Sequence, residues 1–180
     1  MLVGDKKRCL NVIEGDIAEV EADALITAVN SGGMWYGGID GVIQRAAGDV
    51  FHGQAFSALP LSHCDTVVAK KQESHCGKFD DVVFVIDDLQ GPLRDVVKSG
   101  LKAAGDAGYN SVLLPAIRTG VMLGIVEPDV ETATRELLAG ITEYFHENSE
   151  TPIENITFVI YRQPEVVRHF RANMNLVSPN

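Results

Sequence analysis

One stretch limits the possible folds more than any other: residues 24–48, ALITAVNSGGMWYGGIDGVIQRAAG. Its first six residues, Ala24 to Val29, form an apolar, strand-like run, the pattern of a β-strand buried on both faces. Four glycines follow between Gly32 and Gly38, after which Ile39, Val42, Ile43, Ala46 and Ala47 recur at helical spacing. The order is strand, glycine loop, helix, and the loop sits at the carboxyl end of the strand, where open α/β sheets bind ligands. Glycines let backbone N–H groups approach an anion closely, and the dipole of the following helix favours negative charge there. The stretch matches neither G-x-x-x-x-G-K-[ST] nor G-x-G-x-x-G, so it is not one of the two commonest phosphate loops. Its prominent polar side chains are Asn30, at the strand end, and Asp40, two residues past the glycines. One is an amide that donates and accepts; the other is a carboxylate that accepts or acts as a base.

The rest of the chain alternates strands with helices. Cys9 to Ile13 reads as a strand, and Gly15-Asp16-Ile17 turns out of it into a helical turn or short strand containing Ile17, Val20 and Ala22. Asp16, read alone, is a turn or N-cap carboxylate. After the helix of Ile39 to Ala47, Gly48 serves as C-cap, and Asp49 as N-cap of a helix over Val50 to Phe56. Val67 to Ala69 and Val82 to Ile86 are strands, the second flanked by Asp80-Asp81 and Asp87-Asp88, which read as solvated strand ends. Pro92 opens a helix through Ala104 with Leu93, Val96, Val97, Leu101 and Ala104 along one stripe. Ser111 to Leu114 is a strand closed by Pro115, and Pro128 opens a helix to His146 with Glu127, Asp129 and Glu131 suiting its dipole. Ile156 to Tyr161 is the last strand, and Pro164 to Phe170 a terminal helix whose Phe170 packs back on the sheet. This alternation predicts a central mixed sheet between helical layers, with no repeat or low-complexity linker.

A chain of 180 residues with 46% hydrophobic content suits one domain spanning residues 1–180. A net charge of −10 leaves no cationic face for a polyphosphate backbone, which argues against nucleic acid. An anionic ligand would have to be held by local dipoles and N–H groups. Three cysteines at irregular spacing, Cys9, Cys64 and Cys76, do not form a disulfide framework and point to a reducing cytoplasm. No run is long enough to span a bilayer and the N-terminus lacks the order of a signal peptide, so no membrane partner is expected. His63-Cys64 and His75-Cys76 supply metal-ligand types without a structural-zinc spacing; no metal and no cofactor are expected, and the segment from Pro60 to Lys78 reads as a surface loop.

Three separated motifs bring a family into view. Asn30, the glycine loop, Asp40-Gly41 and Gln44-Arg45-Ala46-Ala47-Gly48 resemble the ribose-binding loop of macrodomains, modules that bind ADP-ribose and in several classes hydrolyse it from proteins. The ten-residue step from Asn30 to Asp40 is similar to that of the hydrolytic class. Gly15-Asp16-Ile17 and Pro115-Ala116-Ile117-Arg118-Thr119-Gly120 resemble two further motifs of the family in the right order, and the likeness runs from about Leu10 to Tyr161. It implies a three-layer α/β/α sandwich with a central mixed, mostly parallel sheet. It also implies that Asp16 accepts a hydrogen bond from the adenine amine, with Ile17 beside it, and that Gly37, Gly38 and Ile39 hold the ligand from the first loop. Arg118, Thr119, Gly120, Val121 and Met122 would wrap the diphosphate, Asn30 would fix the distal ribose, and Asp40 would orient or deprotonate a water.

The chain departs from the family pattern where Trp35 and Tyr36 interrupt the glycines; the two rings either cover the ribose or partly fill its pocket. Arg118 stands where the family usually has serine and Met122 where it has an aromatic; Arg118 pairs with a phosphate or with one of the chain's acids. The implied partner is ADP-ribose or an ADP-ribosylated protein. Hydrolysis of the ADP-ribosyl group, a non-catalytic binding module, and action on a free metabolite such as an acetylated ADP-ribose all use the same residues, and the oligomeric state is open.

Overall fold

The structure is a computed structural model that describes residues 2–3, 6–33, 35 and 37–177. Its first strands, β1 (Leu2–Val3) and β2 (Lys6–Lys7), form a small antiparallel ladder of their own. The main sheet has six strands: β3 (Cys9–Glu14), β4 (Ala22–Val29), β5 (Thr66–Ala69), β6 (Phe79–Ile86), β7 (Ser111–Leu114) and β8 (Asn155–Ile160). They lie in the order β3-β8-β7-β4-β6-β5, all parallel to their neighbours except β5, which pairs antiparallel with β6 at one edge. This is the mixed, mostly parallel sheet expected.

Helices cover both faces. On one side Ala24 and Ile26 of β4, Val83 and Val85 of β6, and Ile156 and Phe158 of β8 pack with α3 (Leu93–Asp106), α4 (Val130–Glu147) and α5 (Pro164–Val177). On the other, Leu25 and Val29, Val82 and Phe84, and Leu113 pack with α1 (Gly38–Ala47), α2 (Val50–Ser57) and the 3₁₀ turn Ile17–Glu19. The period-two alternation of strand side chains thus supplies two separate apolar cores from one apolar run. Phe170 lies 4.3 Å, centroid to centroid, from Phe158, docking α5 on the sheet as expected. α3 and α4 approach closely because Gly140 has no Cβ: one there would stand 2.7 Å from the Arg94 carbonyl oxygen.

Two expectations are corrected. The acids flanking β6 are not all solvated: β6 starts at Phe79, so Asp81 lies within the strand and is buried. Asp81 accepts from the Tyr109 hydroxyl (2.5 Å) and the Lys71 N–H (2.8 Å), and pairs with Lys70 at 3.1 Å. Burial pushes its carboxyl up, but these donors outweigh burial and hold it below the ordinary carboxylate range. Asp87, at the other end, has a side chain 6% exposed and paired with Arg118. Helix α5 also runs beyond Phe170, to Val177, although residues 171–177 show little periodicity; Asn173, buried, donates to Thr134 Oγ1 of α4 at 3.3 Å.

Candidate functional site

The carboxyl ends of five parallel strands open into one cavity of about 1100 Å³. Gly15 and Asp16 follow β3, Tyr161 and Gln163 follow β8, residues 115–122 follow β7, Asn30 follows β4, and Asp87 to Leu89 follow β6. Strand order therefore fixes the order of these groups along the cavity, with Asp16 and Tyr161 together at one end. The Gly15 N–H donates to the Ile160 carbonyl at 3.0 Å, tying those two strand ends together. All twelve residues singled out from the sequence line this cavity: Asp16, Ile17, Asn30, Gly37, Gly38, Ile39, Asp40, Arg118, Thr119, Gly120, Val121 and Met122.

Two N–H surfaces face the space. The first is the start of α1, where Gly37 and Gly38 adopt φ of 72° and 48°, a region that glycine enters without steric penalty. The first intrahelical bond there runs from the Gly41 N–H to the Gly37 carbonyl, so the amides ahead of it have no intrahelical acceptor. The second is the loop after β7: Thr119, Leu123, Gly124 and Ile125 donate within the loop, whereas Gly120, Val121 and Met122 have no backbone acceptor among the described residues. Val121 and Met122 leave their side chains exposed.

Arg118 resolves toward the acids. It is buried at φ 61°, and its guanidinium makes a bidentate pair with Asp87 (2.8 and 2.6 Å), bonds both oxygens of Glu127 (2.9 Å each) and donates to the Gly91 carbonyl (3.0 Å). Burial lowers its pKa, but the two carboxylates more than reverse that and the net shift is upward. The side chain braces the cavity floor, each of its three nitrogens bonded within the protein.

Trp35 is folded beneath its loop. It is 6% exposed, stacks on Phe84 at 6.1 Å, and its Nε1 donates to the Asn30 carbonyl at 2.7 Å. It forms wall rather than cover; Tyr36 lies outside the described residues. Asn30 Oδ1 accepts from the Gly32 N–H at 2.9 Å, and Asp88 Oδ1 accepts from the Ser31 N–H at 2.9 Å, so the loop is closed by its own side chains and by the end of β6. Asp16 accepts from the Ala18 N–H at 3.0 Å, serving as N-cap of the 3₁₀ turn, and is otherwise exposed toward the cavity.

Sequence reasoning missed His52. It is buried on α2 and its Nε2 lies 3.1 Å from Asp40 Oδ1. Nothing in the linear pattern joins positions 40 and 52, because the contact depends on how α2 folds back after Gly48. Tyr161, expected as the last residue of its strand, instead lies just past β8, exposed at the rim of the cavity. The two His-Cys pairs are apart in role: His75 packs edge-on against Phe51, and His63 Nδ1 accepts from the Asp88 N–H at 3.2 Å. Among the described residues no three His, Cys, Asp or Glu are grouped to hold a metal, and no helix is long and apolar enough to cross a membrane.

No family model matches the chain. Its fold is similar to that of a Trypanosoma brucei macrodomain solved with ADP-ribose (TM-score 0.78, 20% identity, covering 92% of this chain and 68% of that one). It is also similar to an Oceanobacillus iheyensis macrodomain solved with ADP (TM-score 0.70, 16% identity, covering 98% and 94%). In sequence it is 31% identical over 170 residues to an O-acetyl-ADP-ribose deacetylase of Klebsiella pneumoniae (strain 342), covering 83% of this chain and 87% of the relative. The chain belongs to the macrodomain family. A more distant relative, the human ADP-ribose glycohydrolase MACROD2, is 27% identical over 179 residues, covering 92% of this macrodomain but 39% of the human protein.

Proposed function

We propose that this macrodomain, read as one domain, binds ADP-ribose in the cavity and hydrolyses ADP-ribosyl groups from modified proteins or from related ADP-ribose metabolites. The observation that carries the reading is the convergence, in one cavity, of two donor-rich backbone segments with Asp16 and with the Asn30/Asp40 pair. The names of its relatives, a deacetylase acting on O-acetyl-ADP-ribose and an ADP-ribose glycohydrolase, support it. In this assignment Asp16 accepts from the adenine amine and the exposed Tyr161 ring offers it a stacking surface. Gly37 to Ile39 on one side and Gly120 to Met122 on the other hold the diphosphate with N–H groups, which neutralises it locally in a chain of net charge −10, and the exposed Arg45 also lines the cavity. Asn30 fixes the distal ribose. Asp40, bonded at Oδ1 to His52, has a second oxygen for a water that attacks the anomeric or acyl carbon, the role of a general base. The free cysteines support a cytoplasmic setting.

A non-catalytic binding module is the second reading, and one observation favours it: Asp40 stands in the first turn of α1, where a carboxylate stabilises the helix dipole without any chemistry. Calorimetric titration with ADP-ribose, beside AMP and NAD, tests binding. Release of ADP-ribose from modified substrates tests catalysis: Asp40→Ala should lower the rate about 10²-fold or more, with affinity changed only a few-fold. Asn30→Ala should lower both. Equal rates for wild type and the Asp40 variant on every linkage would leave the binding module.

A further inference from the structure

The buried imidazole of His52 does not line the cavity, yet it touches the one carboxylate that the proposed hydrolysis depends on. Its Nε2 stands 3.1 Å from Asp40 Oδ1, and both side chains are largely shielded from solvent, 7% and 14% exposed. The ring packs against two aromatic partners that also stack on each other, Phe84 at 5.0 Å and Trp35 at 5.9 Å between centroids. Its other nitrogen, Nδ1, is buried with no hydrogen-bond partner. These facts fix the tautomer. A carboxylate oxygen only accepts, so Nε2 must carry the proton; a second proton on Nδ1 would leave a buried N–H unsatisfied.

The same ring stack reaches the other proposed site residue. Trp35, tilted 44° against His52, donates from Nε1 to the Asn30 carbonyl at 2.7 Å. Asn30 follows β4 and Asp40 stands in the first turn of α1, so the two lie on opposite sides of the glycine loop. A loop with four glycines has little stiffness of its own. The stack beneath it supplies rigid references from α2 and β6 for both ends.

We propose that His52 is the positioning residue for Asp40: through Nε2–H it fixes one carboxylate oxygen, leaving the other aimed at the cavity, while Trp35, tilted against the same ring, holds Asn30 in register with it. This rests on the hydrolytic reading above, and it assigns to a helix outside the recognised motifs the job of orienting the base. The logic is that of any orienting partner, which contributes to turnover by holding a group in its productive rotamer rather than by touching substrate.

The test is a set of variants in the full chain. His52→Phe keeps the aromatic packing and removes the donor; His52→Gln restores a donor at similar reach. The Phe variant should lose about 10- to 100-fold in kcat, the range typical of removing an orienting partner, with KM and ADP-ribose affinity within about 3-fold. The Gln variant should recover most of that loss, and His52→Phe should have no further effect in an Asp40→Ala background. A wild-type kcat in the Phe variant, or an equal fold-loss with and without Asp40, would overturn the proposal, since a purely structural role acts independently of Asp40. A second measurement does not depend on turnover or on the Phe variant folding: side-chain ¹⁵N NMR of His52. The proton should reside on Nε2, and Asp40→Ala should move the His52 signals; a proton on Nδ1, or signals unmoved, would overturn the pairing. If wild type binds ADP-ribose and hydrolyses nothing, the hydrolytic reading fails, and the NMR result still decides whether His52 holds Asp40.

Discussion

Replacing Arg118 by alanine should destabilise the protein by about 3–5 kcal/mol, the range for breaking a buried ion pair from one side. The structure supports the upper class of effect for three reasons. The guanidinium is 1% exposed and its two carboxylate partners are 6% and 4% exposed, so none of the three has water to fall back on. After truncation Asp87 keeps the Leu89 N–H and Glu127 the Leu93 N–H, both at 3.0 Å, leaving two buried carboxylates whose basic neighbour is the His63 ring, 3.9 Å from Asp87. The backbone contributes nothing to the difference, because arginine and alanine are equally disfavoured at φ 61°. For a chain of this size the loss corresponds to a fall in Tm of about 6–20 °C. Urea unfolding followed by circular dichroism measures it directly. The control is Arg94→Ala, whose side chain is 39% exposed beside Glu136 and Glu143, and which should lose no more than about 1 kcal/mol. An Arg118→Ala loss as small as the control's would refute the claim that this triad is desolvated. ADP-ribose affinity, measured where the variant is folded, should stay within about 3-fold; a loss of one charge-assisted phosphate bond, about 1.5–3 kcal/mol, would instead return Arg118 to the phosphate.

Asp16→Ala should weaken ADP-ribose binding by about 1–3 kcal/mol in calorimetry, and undiminished affinity would remove Asp16 from the adenine end. Gly140→Ala should lower stability by about 1–3 kcal/mol, because the added Cβ meets the Arg94 carbonyl at 2.7 Å and its Cα at 3.1 Å, backbone atoms that move only if α3 and α4 separate. A net gain in urea unfolding, reflecting the higher helix propensity of alanine, would show that the interface yields. Chelation should leave ADP-ribose affinity unchanged; a loss restored by zinc would reopen the region of His63, Cys64, His75 and Cys76.

The sequence carried the layer structure on its own. Apolar runs at Ala24–Val29 and Val82–Ile86 are dictated by burial on both faces, and the stripes of α3 and α4 by one-sided burial, so local periodicity contains the fold class. The three short motifs sat at strand ends because glycine and turn residues are needed wherever a chain leaves a buried strand and presents N–H groups, and the structure brings all of them to one cavity. What only the tertiary structure decided were the partnerships of charged and polar side chains. Asp81 and Asp87 look like solvated strand ends until Tyr109, Lys70 and Arg118 arrive from positions 28, 11 and 31 residues away to satisfy them. Trp35 turns inward because Phe84 offers a face to stack on, and His52 meets Asp40 because α2 doubles back after Gly48. Burial patterns are periodic and therefore local, but a hydrogen bond between distant residues leaves no period in the sequence, and only the packing of elements determines which acid finds which donor.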